Sequence, residues 1–267
     1  MSETPQTNDA KLREATPKKR ERPVIAIDGP AGAGKSTLAA HLARRFGFLN
    51  LETGAMYRAL ALKAIENDYA FDEEAPLMDL ATRTSIRLQP QLEGNRVLLD
   101  TVDVSRRIRD TDVTSAASKV SVHPRLRAWM VQQQRALGEA GGIVMEGRDI
   151  GTAVFPDAEV KIFLDAAPEV RGNRRFRQSV PEPKDLSLKD NPDRQKPDPV
   201  TSEEQRLAEE AVIRELKERD YRDRHRAESP LQPARDAVIL DSTAMTLEEV
   251  LTRAEEIVRS HLPRESS

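Results

Sequence analysis

The chain has 267 residues, contains no cysteine, and carries 42 basic and 45 acidic side chains for a net charge of −3. Its length accommodates one large domain or two small ones, and the missing cysteine excludes disulfides, thiolate metal sites and cysteine nucleophiles. The mixed charge argues against a nucleic-acid-binding surface, and no segment approaches the ~20 apolar residues that span a bilayer, so we expect a cytoplasmic protein without a membrane partner.

The first 22 residues are polar and have no apolar repeat, so they are predicted to form a disordered, solvated tail. The run VIAI that follows, at residues 24–27, is typical of a strand buried on both faces of a parallel sheet. A glycine-rich turn comes next, and the apolar residues of LAAHLARRFGF then repeat at helical spacing.

Between that strand and that helix lies the complete G-x-x-x-x-G-K-[ST] pattern of a phosphate-binding P-loop. Its residues are Gly29, Pro30, Ala31, Gly32, Ala33, Gly34, Lys35, Ser36 and Thr37. The glycines let backbone N–H groups surround phosphate oxygens at a helix N-terminus, and we expect Lys35, solvated without ligand, to neutralise the β- and γ-phosphates. The hydroxyl of Ser36 is the candidate ligand for Mg²⁺. The motif therefore predicts an ATP-binding site that also takes Mg²⁺.

The middle of the chain predicts a smaller unit inserted into this domain. From about residue 71 to 110, a short helical stretch precedes SIRLQP and NRVLLDTVDV, which are typical of an antiparallel hairpin. Helical spacing returns over residues 112–140, and the runs GGIVMEG, EVKIFLDA and DAVILDS predict three more buried strands. This alternation indicates a doubly wound α/β domain with its ligand site at the carboxyl ends of the strands.

The last third of the chain begins with a proline-rich stretch at residues 179–202, whose composition predicts a flexible insertion. A capping box at Ser202 then predicts a charged helix that runs to about Tyr221, and a second box at Thr246 opens the last helix.

Arginines are concentrated in segments with turn or helix-end character, and phosphoryl transfer needs such positive charge around the transferred group. The candidates are Arg58, Arg148, Arg219, Arg222, Arg224 and Arg226. Arg219, Asp223 and Arg226 follow helical spacing, so one face can present them to one ligand. We interpret this face as a lid that closes on phosphate, although the same run also fits an exposed helix with ion pairs. No general base is required if the acceptor is itself an ionised phosphate.

The segment EGRDIG after the strand IVM has two interpretations. An acidic residue at the end of a parallel strand beside a P-loop often organises the water around Mg²⁺, whereas an adjacent Arg-Asp pair can equally be a structural ion pair. The motif alone does not decide between them, and Glu146 is given no metal role.

Taken together, these stretches resemble the bacterial cytidylate kinases of the nucleoside monophosphate kinase group. The matching runs are IDGPAGAGKST, ETGAMYRALAL, IRDTDVTSAASKVSVHPRLR, EGRDIGTAVFPDAEVKIFLDA, KERDYRDRHRAESPL and VILDST, within residues 23–245. Their combination is much more specific than the P-loop, and adenylate kinases lack the GRD-x-GT-x-VFPDA run. The tail and the proline-rich stretch look longer than the short form of the family needs.

The resemblance implies an α/β fold with a parallel-sheet P-loop kinase core, an inserted monophosphate-binding lobe and a short arginine-rich lid. The core would comprise residues 23–70, 111–178 and 227–267, the lobe residues 71–110, and the lid helix and lid residues 203–226.

The resemblance also implies roles for particular side chains. Those for the phosphate or ribose side of the acceptor are Thr53, Arg58 and Arg148. Those that face cytosine are Ser118, Arg127 and Asp149. Those for ribose are Arg219 and Asp223, those for phosphates are Arg222, Arg224 and Arg226, and the one against the ATP base is Arg174.

The implied activity is transfer of a phosphoryl group from ATP to CMP or dCMP, with Lys35, Arg148 and the arginines of the lid as the catalytic groups of a monomer. One alternative is a small-metabolite kinase of the same fold, which acts on shikimate or gluconate and has no pyrimidine pocket. A second is a GTP switch or a nucleic-acid-binding regulator, but the chain has neither an N-K-x-D element nor a basic face.

Overall fold

A computed structural model of the protein describes residues 20–91, 94–179 and 202–262. Most of the predicted tail and of the predicted flexible insertion lies outside these residues. The strands in the described part are β1 (Val24–Asp28), β2 (Leu49–Glu52), β3 (Ile86–Gln91), β4 (Gly94–Leu99), β5 (Val102–Asp103), β6 (Ile143–Glu146), β7 (Val160–Asp165) and β8 (Val238–Asp241). The helices are α1 (Lys35–Phe46), α2 (Thr53–Glu66), α3 (Glu74–Thr82), α4 (Thr111–Val120), α5 (Pro124–Gly138), α6 (Pro168–Ser179), α7 (Ser202–His225) and α8 (Leu247–His261).

Five strands form a parallel sheet in the order β2-β6-β1-β7-β8. The four strands predicted from apolar runs are confirmed. The edge strand β2 is absent from the sequence-based prediction because it has only four residues, and of these Leu49 is 54% exposed while Leu51 is buried. So short and half-exposed a segment gives no continuous apolar run.

The side chains of β1 alternate between two hydrophobic cores, one on each face of the sheet. Ile25 and Ile27 pack with residues of α1 and α8, whereas Val24 and Ala26 pack with residues of α2, α4 and α5. All four side chains are fully buried. Helices on both faces explain why the central strands have continuous apolar sequences, and they confirm the doubly wound α/β fold.

A second sheet, in which β3, β4 and β5 pair antiparallel, lies against β2 and α2. β3 and β4 form the hairpin predicted from the sequence. Leu88, Val97 and Leu99 of this sheet are buried in the same core as α2. The segment that we interpret as an inserted lobe is therefore continuous, in its apolar side chains, with one face of the main sheet.

Asn95 joins the two sheets through the backbone of β2. Its side-chain oxygen accepts a hydrogen bond from the Glu52 N–H at 2.9 Å, and its amide donates to the Asn50 carbonyl at 2.7 Å. The residue is buried. One amide thus satisfies a donor and an acceptor of an edge strand and holds Glu52 at the carboxyl end of β2.

The helix α7 ends at His225 and not near Tyr221, so the sequence-based boundary is wrong by about one turn. The run RDRH contains no glycine or proline that would end the helix earlier, and Ser229, with a φ of 48°, follows four residues after its end. The predicted capping box at Thr246 is confirmed, since Thr246 and Glu249 exchange hydrogen bonds. The side chain of Ser202 lies outside the described residues. In the described ranges, no helix has the length and apolar character needed to cross a membrane.

Two arginines at the predicted end of the tail contact the folded domain. Arg20 forms a bidentate ion pair with Asp157 at 2.7 and 2.8 Å, and Arg22 donates to the Gly47 carbonyl at 2.6 Å. The expectation that the first 22 residues are solvated is therefore wrong for Arg20, whose side chain is 11% exposed, whereas Arg22 stays exposed although it is hydrogen-bonded to the domain.

We expect Asn95→Ala to lower the free energy of unfolding by about 2–4 kcal/mol, because it leaves two backbone groups of β2 buried without a partner. Urea denaturation measures this change. The control is Asn67→Ala, whose exposed side chain donates one hydrogen bond to the Lys63 carbonyl and should cost under about 1 kcal/mol. Equal losses for the two variants would contradict the bridging role of Asn95.

Candidate active site

The carboxyl ends of β1, β2 and β6 open into one cavity. It is lined by the P-loop, the start of α2, one face of α7 and residues 147–154, which we call the segment after β6. The lining residues are Ala31, Gly32, Lys35, Ser36, Glu52, Thr53, Gly54, Tyr57, Arg58, Ala117, Ser121, Arg127, Glu146, Gly147, Arg148, Asp149, Arg175, Arg219, Asp223 and Arg226. Most of the residues predicted to hold an acceptor are among them.

The P-loop follows β1 directly and requires glycine at its first position. Gly29 has a φ of 147°, and a Cβ on it would lie 2.0 Å from the Leu164 carbonyl oxygen of β7. At the other end, Gly34 caps α1 in a left-handed conformation without a side-chain hydrogen bond. The first N–H groups of α1 are therefore free for an anion, which the helix dipole also favours.

Lys35 is buried, with 6% of its surface exposed, and its Nζ donates to the Pro30 carbonyl at 2.7 Å. The expectation that its ammonium is solvated without ligand is therefore wrong. Burial, and next the nearby Arg148, lower the pKa of Lys35 from the ordinary 10.5 to about 7. Segments far away in the chain enclose this side chain, which the local motif could not indicate.

A chain of ion pairs crosses the cavity from Arg127 to Arg148. Arg127 donates to one carboxylate oxygen of Asp149, and Arg226 lies 3.9 Å from the other. Arg226 is also 3.8 Å from Asp223, which accepts from Arg148 at 3.0 Å. Arg127 and Arg226 are only 3% and 4% exposed. The structure thus brings together five predicted residues, with their charges alternating in sign.

Two atoms in this chain keep unused hydrogen-bonding capacity. The Nε of Arg127 and one terminal nitrogen of Arg226 are buried and have no hydrogen-bond partner among the described residues. The guanidinium of Arg127 also lies 5.8 Å from the ring centre of Tyr57, a cavity residue that the sequence analysis does not identify. Burial raises the pKa of Tyr57 to about 12, so its hydroxyl is a neutral donor or acceptor.

The start of α2 contributes Thr53 and Arg58. The hydroxyl of Thr53 is committed to the Glu146 carbonyl at 2.7 Å, so this side chain ties α2 to β6. Arg58 forms an ion pair with Glu52, and its Nε has no partner among the described residues. Arg58 and Glu52 both border a second cavity as well. Their pair therefore stands where the two cavities meet.

The face predicted from the sequence does line the cavity, through Arg219 and Asp223 of α7 and through Arg226, the residue directly after the helix. At about 100° per residue, Arg224 points away from that face, and it lies 3.9 Å from Asp165 outside the cavity. Arg222 stands at the edge of the face, 3.4 Å from the hydroxyl of the buried Ser118. Neither Arg222, Arg224 nor Ser118 lines the cavity in this structure, in contrast to the roles implied by the resemblance.

The second cavity lies on the other side of the P-loop. Beyond the loop itself, its lining is Leu38, Glu52, Arg58, Arg109, Leu164, Arg174, Arg175, Ser242, Met245, Leu247, Val250 and Leu251. Arg174 donates to the hydroxyl and the carbonyl of Ser242 at 3.1 and 2.9 Å. The apolar side chains of this cavity lie beside the phosphate-binding loop and the fixed guanidinium of Arg174, which suits a planar base.

Arg175 is a cavity residue that the sequence analysis misses. It lines both cavities, is half-buried, and makes no hydrogen bond or ion pair with any residue that the structure describes. Its charge also contributes to lowering the pKa of Arg219 to about 10, after burial and Arg148. Nothing in the run GNRRFR distinguishes Arg175 from its neighbours, so only the packing of α6 identifies it.

Comparison with known proteins gives the family. The model of the cytidylate kinase family matches residues 25–260. The chain belongs to this family. It is 45% identical over 244 residues to the cytidylate kinase of Solibacter usitatus, a match that covers 91% of this chain and 95% of that one. It is 44% identical over 229 residues to the cytidylate kinase of Aeromonas hydrophila, covering 86% and 90%.

A solved structure, TT1252 from Thermus thermophilus, covers 92% of the chain and all of its own length at 20% identity, with a TM-score of 0.41. A shikimate kinase from Acinetobacter baumannii covers 93% of the chain at 13% identity, with a TM-score of 0.36. Likenesses at this level carry no argument about the acceptor.

We expect MgATP binding at pH 7.5 to be accompanied by proton uptake at Lys35. With a pKa of about 7, part of the Lys35 population is neutral at this pH, and phosphate oxygens favour the charged form. Calorimetry in two buffers of different ionisation enthalpy measures the uptake. Lys35→Met should reduce it, and equal uptake in both proteins would refute the assignment.

The lowered pKa of Lys35 also predicts how the free energy of unfolding depends on pH. Because the folded pKa of Lys35 lies below the unfolded value of 10.5, the unfolded chain holds more protons between about pH 7 and 10.5. Lys35 should therefore make the free energy of unfolding rise with pH over that window, and Lys35→Met should remove this contribution.

Proposed function

We propose that this protein transfers the γ-phosphoryl group of ATP to cytidine monophosphate. The observation that supports this most directly is the meeting of two cavities at one P-loop, the first lined by alternating arginines and carboxylates and the second by arginines and a group of apolar side chains. ATP would place its base in the second cavity and its phosphates on the loop, and the acceptor would occupy the first. The names of the relatives support CMP as that acceptor.

The transfer itself needs positioning and charge more than acid-base chemistry. The bond between the γ-phosphorus and the bridging oxygen of ATP breaks, its electron pair remains on ADP, and an oxygen of the CMP phosphate bonds to the phosphorus. Both phosphates are ionised at neutral pH, so no proton must be removed. Accordingly, no histidine lines the described cavity. Lys35, Arg148 and Arg226 would neutralise the charge on the transferred group.

Selection of cytosine would rest on the buried pair of Arg127 and Asp149. Cytosine presents an amino donor at position 4 and acceptors at N3 and O2, so a carboxylate and a guanidinium side by side match it. Uracil reverses the polarity at two of these positions. Because the two side chains already hold each other in place, little reorganisation is needed on binding. The phosphate would lie near Arg58 and Arg148, and the ribose near Arg219 and Asp223.

Mg²⁺ would enter with the nucleotide phosphates, next to Ser36 and Glu146. Glu146 is buried, and burial, followed by the charge of Glu52, raises the pKa of its carboxyl, while Lys35 and the hydroxyl of Ser36 act in the opposite direction. A divalent cation there would relieve the repulsion between the two carboxylates. Bound Mg²⁺ would supply positive charge between the β- and γ-phosphates. Among the described residues, no cluster of three or more metal-binding side chains exists, which fits a metal held mainly by substrate.

We extend the proposal to dCMP, because it has the same base and phosphate as CMP, and the two acceptors differ only at the sugar, which would lie near Arg219 and Asp223. We also propose that the enzyme acts as a cytoplasmic monomer on these small molecules.

The decisive experiment is coupled ADP release with ATP and a panel of acceptors: CMP, dCMP, UMP, AMP, shikimate and gluconate. CMP should give the highest kcat/KM, with UMP lower by roughly tenfold to a hundredfold, the cost of a buried polar mismatch. Preference for AMP or for a hydroxyl acceptor would overturn the proposed function.

Asp149→Asn should change base choice more than it changes folding. The variant keeps the shape of the side chain but replaces one acceptor oxygen with a donor, so kcat/KM for CMP should fall strongly and that for UMP much less. The matched control is Asp112→Asn, in an exposed ion pair with Arg107. A proportional loss on both acceptors would assign Asp149 to Mg²⁺ or to the fold.

Arg175 should act on the transferred group because its unpaired guanidinium lies where the cavities meet. Arg175→Ala should lower kcat roughly a hundredfold, by analogy with loss of one charge-stabilising donor, while KM for CMP and ATP changes only a few-fold. Arg175→Lys should restore part of the rate, and Arg177→Ala, exposed on the same helix, should be neutral. A loss confined to KM would make Arg175 a binding residue only.

A further inference from the structure

Asp28 is a buried carboxylate with no part in the mechanism described above. It is the last residue of β1 and immediately precedes Gly29, yet its side chain turns toward the segment after β6. One carboxylate oxygen accepts from the Ile150 N–H at 2.8 Å and the other from the Gly151 N–H at 2.7 Å. Both oxygens are thus used by backbone donors 122 and 123 residues away in the chain.

These two hydrogen bonds act together with three backbone hydrogen bonds to hold the backbone around Asp149 in place. The Asp149 carbonyl accepts from the N–H groups of Ala153 and Val154 at 2.8 and 3.2 Å, in a short π-helical turn at Ile150–Val154. On the other side, the Gly147 N–H donates to the Ile27 carbonyl at 2.9 Å. Arg148 and Asp149 therefore project from a segment that β1 holds at both ends.

The side chain of Asp28 is also closely packed against Gly151. A Cβ on Gly151 would lie 3.4 Å from a carboxylate oxygen of Asp28 and 3.2 Å from the side chain of Lys161. Burial raises the pKa of Asp28 to about 6, and the two backbone hydrogen bonds act in the opposite direction. An ionised carboxylate in such a place costs stability unless it is fully hydrogen-bonded, so an apolar residue would serve the core better.

We propose that Asp28 is a positioning residue for acceptor recognition, which sets the orientation of Arg148 and Asp149 by holding the N–H groups of Ile150 and Gly151. The strand that leads into the ATP-binding loop thereby also fixes the residue that selects the acceptor's base. The assignment of cytosine to Asp149 rests on the proposed function; the hold on the segment does not.

Asp28→Asn tests the proposal because the amide keeps one acceptor oxygen and turns the other into a donor that faces an N–H group. We expect kcat/KM for CMP to fall about tenfold or more and the CMP/UMP ratio to fall with it, while KM for ATP stays within about threefold. The control is Asp100→Asn, which also removes a carboxylate that accepts a backbone N–H, that of Ser85 at 3.0 Å, but in a residue that lines neither cavity. It should leave the ratio unchanged.

A double-mutant cycle separates positioning from general weakening of the fold. If Asp28 acts through Asp149, the effect of Asp28→Asn on the CMP/UMP ratio should disappear in the Asp149→Asn background. The same effect in both backgrounds, or an equal loss on CMP and UMP in the single variant, would overturn the positioning role.

Hydrogen exchange supplies a test that needs no substrate. In Asp28→Asn, amide exchange of residues 147–154 should accelerate, whereas that of the P-loop helix α1 should change less. Unchanged exchange of this segment would overturn the proposal even if the activity falls. If the wild-type enzyme fails to use CMP, the proposed function fails, and the exchange result still decides whether Asp28 holds the segment. Asp28→Ser serves as the second variant if Asp28→Asn does not fold.

Discussion

The parallel pairing of β1 with β6 and β7 is the constraint on which the site depends. Ile27 lies opposite Glu146, and Asp28 lies opposite Phe163, so neighbouring strands end at one edge of the sheet. The chain must leave each strand there, because no hairpin can join parallel neighbours. The P-loop and the segment after β6 therefore leave the sheet at the same edge. The Leu164 carbonyl, which excludes a side chain at Gly29, lies there as well.

In that arrangement, the positive charge of the side chains around the cavity exceeds the negative charge of its carboxylates. Asp149 and Asp223 form ion pairs with Arg127, Arg148 and Arg226, whereas neither Arg219 nor Arg175 forms an ion pair with any residue that the structure describes. The lowered pKa of Arg219, caused by burial and then by Arg148, reflects the cost of this excess. The excess positive charge makes the ligand-free protein less stable than its apolar core alone would make it. An anionic ligand removes this cost when it binds. The same charge therefore lowers the stability of the free protein and raises its affinity for phosphates.

The sequence predicts those parts of the site that depend on local geometry. The P-loop follows from glycine conformations and a helix start within nine residues, and the face of α7 follows from helical periodicity, which is independent of what the helix packs against. The burial of Lys35 and the position of Arg175 depend instead on how α6 and the segment after β6 close over the loop. Arg224 shows the limit of prediction from residue type, because it lies in the same arginine-rich run but its angle on the helix turns it away from the cavity.

The buried pair of Arg171 and Asp220 connects α6 and α7 to the P-loop, which lines both cavities. Arg171 of α6 donates to the Ala31 carbonyl of the P-loop at 2.8 Å and to Asp220 of α7 at 2.5 Å, and it is 2% exposed. Arg175 stands one turn after Arg171, and Arg219 directly precedes Asp220. A movement of α7 away from the first cavity must therefore either carry α6 with it or leave a buried guanidinium without its partner, which is strongly unfavourable. The positions of Arg175 and Arg219 relative to the phosphate-binding loop therefore depend on this one buried connection.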